Sequence, residues 1–277
     1  MMSSSINKSF LLAIVLLMLS TLGNSSEKYL WRVLENTDFL KGEKLIYVAG
    51  YSFVDAGIAE VFLDDSMYTI DGHKCFHAKI TAESIGVVGA VLNVHDSWES
   101  YFDSASILPL KFRRDVIEGK YTLEENITFD QDSQKVYVNW KKKDKPEIHY
   151  EEYPGMKETI DVISGYYFLR TINFSNLEKN ARINFNGFWE KKAYNFDIIY
   201  LGEEICKTKF GNIKSFVFSP IVPENSFFRG DNPVRFWISD DENRIPLKIK
   251  ANLKVGSVKV NLTDIEKSKS KLQEVNN

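Results

Sequence analysis

Cysteine is nearly missing: the 277 residues hold two, Cys75 and Cys206, too few for a disulfide-built scaffold and without a Cys-x-x-Cys spacing. An excess of positive charge is missing as well. The formal net charge is −3, which offers no basic field for a nucleic-acid partner. After the N-terminal region no apolar run approaches the roughly 20 residues that a membrane-spanning helix needs. Nucleophile elbow, His-Glu-x-x-His helix and phosphate-cradling glycine loop are all absent. No catalytic residue, cofactor or metal is therefore assigned, and an enzyme is not expected. The enzymatic alternative left open is a hydrolase whose carboxylates meet only in space.

What is present favours β structure. Aromatic residues make up 13% of the chain, with 19 Phe and 13 Tyr, beside 44% hydrophobic and 26% charged residues, an ordinary globular balance tilted toward strand formers. Lys8 precedes the apolar run Phe10 to Leu19, and small and polar residues follow from Ser20 to Ser26. That is the layout of a secretory signal peptide with cleavage after Gly23, and it predicts export to the periplasm. No cysteine stands near the cleavage site, so a lipoprotein is not expected. Cys75 and Cys206 each lie in an alternating apolar segment, where a thiol serves as a small hydrophobe. Two separate buried thiols are preferred to a pair.

The segment that organises the rest runs from Asp231 to Val255. Leu247, Ile249, Ala251, Leu253 and Val255 alternate with Lys248, Lys250, Asn252 and Lys254, the period of a half-buried strand. The polar insert Asp240 to Arg244 joins it to an aromatic strand before it, giving a hairpin. Asp103 to Phe112 follows the same order of Asp, polar loop, aliphatic, Pro and strand, with Pro at a strand's first residue, where its missing N–H costs nothing. Turn signals punctuate the chain about every ten residues, with Gly202 and Gly211-Asn212 read as turns. One confident helix stands out: Asp161 is its N-cap, and Val162, Ile163, Tyr166, Tyr167, Leu169, Arg170 and Ile172 recur at three and four. A helix apolar on nearly all sides must lie under sheet on more than one side, or in a curved sheet's hollow.

The expected fold is all-β with one main helix: a large curved antiparallel sheet, an open or partly closed β-barrel, with the helix packed on the concave side. Residues 1–23 are read as signal peptide, 24–41 as a lead-in, 42–264 as one antiparallel β domain and 265–277 as a flexible tail. Gly42-Glu43-Lys44-Leu45, Leu108-Pro109-Leu110-Lys111-Phe112-Arg113-Arg114-Asp115 with Glu118-Gly119, the helix start at Asp161-Val162-Ile163-Ser164, and Trp237 to Leu247 with Lys254 to Val258 resemble the exported bacterial family called domain of unknown function 3108. The likeness extends from about Gly42 to Leu262. It implies a fold and an exported protein and brings no catalytic residue with it. More loosely, the strand, Asp, loop, Leu-Pro, strand device is similar to that of periplasmic lipoprotein carriers with an open half-barrel.

The excess of Phe and Tyr over the needs of one closed core points to a hollow for a lipid or other amphipathic ligand. Tyr166, Tyr167, Leu169 and Arg170 on the helix are its candidate residues, with Arg113 and Arg114 as candidates for holding a headgroup. The plainer account of the two arginines is cross-strand ion pairing in solvent. His73, Cys75 and His77 share one strand face, but residues two apart on a strand are about 7 Å apart, too far for a zinc site from one strand. Asp240 to Asn243 lacks a calcium loop's spacing and reads as a solvated turn. The functional expectation is a non-enzymatic periplasmic binding protein in envelope maintenance, expected to be a monomer, with a hydrophobic ligand and an envelope protein as its candidate partners. A structural module for a protein or polysaccharide of the envelope is the alternative.

Overall fold

Alternation of apolar and polar residues gives fifteen strands among the described residues, and their connections are short enough that chain neighbours pair as hairpins. The computed structural model describes residues 30–35, 37, 39–174, 177–221 and 228–275. The expected signal peptide, residues 1–23, lies outside the described residues. The chain divides into two units, Met1–Leu30 and Trp31–Asn277, and the second holds everything described below. Its first half contains β1 (Lys44–Tyr51), β2 (Val54–Leu63), β3 (Tyr68–Ile70), β4 (His73–Ser84), helix α1 (Gly86–Val91), β5 (His95–Asp103), β6 (Pro109–Glu118) and β7 (Tyr121–Asp130). After β8 (Lys135–Lys142) and β9 (Lys145–Pro154) comes helix α2 (Val162–Thr171), then β10 (Arg182–Trp189), β11 (Lys192–Thr208) and β12 (Gly211–Pro220). The chain ends in β13 (Val234–Ser239), β14 (Pro246–Asn252) and β15 (Ser257–Lys267).

All fifteen strands join one antiparallel sheet in the order β10-β11-β12-β13-β14-β15-β1-β2-β4-β5-β6-β7-β8-β9, with β3 beside β4. The sheet curls without closing, and β9 and β10 are its two ends. Ile160, between β9 and α2, spans part of the gap: its N–H donates to Asn186 O (2.9 Å) and its carbonyl accepts from Phe188 N (2.9 Å), a parallel bridge to Gly187. Lys191 adds an ion pair to Glu151 on β9 (2.5 Å). The structure thus has the expected curved, partly closed barrel with its main helix inside.

The organising hairpin is present as β13 and β14, and its device recurs at β5 and β6. Ser239 N donates to Ile245 O and Asp103 N to Leu108 O, both at 2.9 Å. Arg244 and Ile107 both hold positive φ, 48° and 58°, two residues before Pro246 and Pro109. Gly202 is a correction to the expected turn. With φ of +109° it sits at a register shift between Tyr200 and Gly202, so β11 bends through a bulge there instead of reversing. The chain after Asp264 continues β15 to Lys267. Its described residues then follow β12, where Val275 N donates to Asn212 O (2.8 Å), because Ile265 and Leu272 have apolar surface of the core to pack on.

Helix α2 is fixed at both ends. Asp161 Oδ1 accepts from the amides of Ile163 and Ser164, both at 2.8 Å, and Asp161 N donates to Ser164 Oγ at 3.0 Å, a capping box. One face of the helix carries Ile163, Ser164, Tyr167, Arg170 and Thr171, all buried. Tyr167 packs with Phe39, Phe76 and Phe102 in the core that lies under β4 to β8. Burial of one such side chain is worth roughly 1.5–3 kcal/mol, enough to hold a ten-residue helix that would be marginal alone.

Candidate functional site

The other face of α2 is only partly packed: Tyr166 and Leu169 touch the core and also border open space. Val162, Gly165, Tyr166 and Leu169, spaced by three and four, border a hollow of about 590 Å³ between the helix and the concave side of the sheet. Its opposite wall comes from Tyr47 on β1, Ala59 and Val61 on β2, Ile80 on β4 and, farther round, Phe236 and Ile238 on β13, Ile249 on β14 and Val260 on β15. The register explains this wall: Phe236 lies opposite Ile249 and Ile249 opposite Val260, so one row of side chains crosses three strands on one face. Phe185 and Phe196, stacked at 5.5 Å across β10 and β11, complete the lining with Trp189. A Cβ at Gly187 would stand 2.8 Å from the Phe196 ring, so glycine there lets the ring lie flat against the strand.

Four lining residues are themselves exposed: Val162, Trp189, Phe196 and Ile249. They mark the mouth. Among the described residues the only charged one of the lining is Asp161, and its oxygens are occupied by Ile163 N, Ser164 N and, at 2.6 Å, Ser100 Oγ. Burial pushes its carboxyl up to about 6, against the pull of these donors toward lower values. The lining's other polar side-chain groups are the Trp189 indole N–H at the mouth and two hydroxyls: Tyr47 Oη donates to Pro246 O (2.9 Å) and stands 3.4 Å from Tyr166 Oη. Burial raises both phenols, that of Tyr166 to about 12 and that of Tyr47 well above its ordinary range, so both are neutral donors near pH 7.

The six residues singled out in the sequence separate in space. Tyr166 and Leu169 line the hollow. Tyr167 faces away into the core and is fully buried. Arg170 is on that same face, where its guanidinium meets both oxygens of Glu43 (2.5 and 2.9 Å) and Asn243 O (2.9 Å). Arg113 points to solvent and pairs with Asp115 (2.9 Å). Arg114, one residue on, points inward to Glu125 (2.7 Å) and Glu190 (2.9 Å), with its guanidinium 5.0 Å over the Trp189 ring. It steadies the rim of the hollow and does not line it.

Trp189, Phe196 and Ile249 were not singled out in the sequence, although Ile249 stands in the most regular alternation of the chain. Of the His73, Cys75 and His77 strand, His73 contacts Asp103 (3.3 Å), and His77 contacts Asp64 (3.3 Å) and Glu99 (3.5 Å). Among the described residues no three His, Cys, Asp or Glu side chains are placed to hold a metal ion. No helix among them is long and apolar enough to cross a membrane.

Comparison with known proteins bears on the scaffold. A solved structure from Brucella abortus, described as a beta-barrel-like protein of domain of unknown function DUF1849, superposes on 82% of this chain and 98% of its own, with a TM-score of 0.50 and 8% identity. At that identity the likeness is one of fold. No curated protein matches the chain. Residues 46–263, from the third residue of β1 to the middle of β15, match the family described as protein of unknown function (DUF3108), and the chain belongs to that family.

Proposed function

We propose that the hollow beside α2 holds a hydrophobic or lipid ligand, and that the protein is a non-enzymatic binding protein of the periplasm that serves envelope maintenance. One observation carries this reading: a space of about 590 Å³ whose single acid among the described residues is capped and whose hydroxyls are tied to the protein. That volume lies within the roughly 300–1,000 Å³ of small-molecule sites. An apolar wall rewards an acyl or isoprenoid chain by about 0.8 kcal/mol per buried methylene, while a free carboxylate or phosphate inside would find no cation and lose its hydration. A charged headgroup therefore stays at the mouth. A hydrolase would need a base and a nucleophile converging on the space; the acid that faces it among the described residues, Asp161, is held by Ile163 N, Ser164 N and Ser100 Oγ, which favours the binding reading.

The test is uptake of a fluorescent fatty-acid probe by delipidated protein, with mass spectrometry of the lipids that accompany protein isolated from its own envelope. Saturable uptake and a co-purifying amphiphile are expected. Protein that takes up no probe and carries no lipid would remove the reading. Recovery in the periplasmic fraction with an N-terminus at Asn24 is expected, and recovery in the cytoplasm would refute the location.

A further inference from the structure

In an antiparallel meander the connections alternate between the two ends of the barrel, and here the ends differ in chemistry. The mouth end receives the β1–β2, β6–β7, β8–β9, β10–β11 and β14–β15 turns and α1. The hollow opens there: Trp189 is the last residue of β10, adjoining the Glu190-Lys191 turn. Four apolar side chains stand bare on these connections, Phe53 at 100% exposure, Val91 at 79%, and Val87 and Val255 at 76%. Among them are the exposed lysines Lys120, Lys143 and Lys254, against Asp144. Glu190 and Lys191 are already paired, with Arg114 and Glu151. The opposite end carries Asp64, Asp65, Asp71, Asp132, Asp240, Asp241 and Glu242 on its connections, against Lys209 and Arg244. Apart from the partly described β12–β13 connection, charge is thus separated along the barrel, and the bare apolar tips on strand connections gather at its positive end, whereas the opposite end has Val33 beside the β5–β6 loop and the half-exposed Met67.

We propose that the mouth end docks on a lipid surface bearing anionic headgroups. Isolated apolar tips set among lysines match a bilayer interface, into which the tips dip while lysine stems reach back to the phosphates. A protein partner fits less well, since protein interfaces are depleted in lysine. The inference rests on the reading of the hollow as a ligand site, because a mouth facing the bilayer gives a lipid a dry path in or out.

The experiment is cosedimentation of the protein, as processed by the cell, with phosphatidylcholine vesicles with and without phosphatidylglycerol, beside probe uptake from free solution. Binding to the anionic vesicles that weakens with salt is expected. Phe53→Asp with Val255→Asp should weaken it about tenfold or more and leave probe uptake unchanged. Wild-type protein that stays in the supernatant, or a double variant that sediments as well as wild type, would overturn the proposal. So would a wild-type dimer that ignores vesicles and that the double variant dissolves, because a second copy would then own this surface. Probe uptake failing while vesicle binding persists would strike the ligand reading and leave the docking surface standing.

Discussion

Arg170 and Glu43 form a two-pronged ion pair inside the barrel, Nη1 to Oε1 at 2.5 Å and Nη2 to Oε2 at 2.9 Å, under the rings of Phe39, Tyr166 and Tyr167. Burial works against the guanidinium's charge, yet the Glu43 carboxylate outweighs it and holds Arg170 firmly protonated. The pair ties the far end of α2 to the start of β1. Removing one partner strands the other charge in a dry interior. Arg170→Leu should cost about 3–5 kcal/mol in urea unfolding, and the double change Arg170→Leu with Glu43→Leu much less. A single-variant loss below about 1 kcal/mol would mean that the pair is solvated.

Asp161 gives the chain a pH signature. Its carboxyl is raised to about 6 in the folded protein against roughly 3.9 unfolded, so between those values the native state binds more protons than the unfolded one. The contribution is fully present below about pH 4 and lost as pH rises through about 6, on the order of 3 kcal/mol in total. Asp161→Asn keeps the cap and cannot ionise. Unfolding measured from pH 4 to 7 should show the variant gaining on wild type as pH rises. A constant difference across that range would place the carboxyl at its ordinary value.

Much of the scaffold was legible in the sequence because strand alternation and helix capping are local. The hairpin from Val234 to Asn252, the Asp161 cap and the face shared by Tyr166 and Leu169 all follow from spacing. The sorting of Tyr167 and Arg170 away from the hollow does not. A helix apolar on most sides gives no sign of which side meets packed core and which meets empty space, and Arg170's partner Glu43 is 127 residues away in sequence. Gly202 misleads for a related reason: its positive φ suits a turn or a bulge, and only the unbroken pairing of β11 with β12 on both sides of it decides. The mouth residues Trp189 and Phe196 belong to an edge hairpin whose position depends on how far the sheet curls.

Cys75 and Cys206 are both unpaired and buried, one on β4 and one on β11. Burial pushes the Cys75 thiol up to about 11, with Asp103 adding to the rise, and burial likewise raises Cys206. Thiolate is the reactive form. Native protein should therefore react slowly with a thiol reagent at pH 8, and two thiols should appear on unfolding without reductant. A disulfide found by mass spectrometry under non-reducing conditions would contradict this arrangement.

Ala59 offers a way to separate stability from binding. It lies on β2 in the wall of the hollow, between Tyr47 on β1 and Ala82 on β4, so a larger side chain there extends into the space beside its core neighbours. Ala59→Phe adds apolar contact inside the barrel and takes volume from the ligand. A filled apolar cavity commonly stabilises by about 0.5–2 kcal/mol, so the thermal midpoint should rise or hold. Affinity for an acyl probe should fall about tenfold, because a ring displaces several methylenes worth about 0.8 kcal/mol each. If the hollow were only slack packing, the variant would gain stability with no binding to lose. If ligands bound elsewhere, probe affinity would be untouched. A higher midpoint together with weaker uptake is the combination that ties the ligand to the space beside α2.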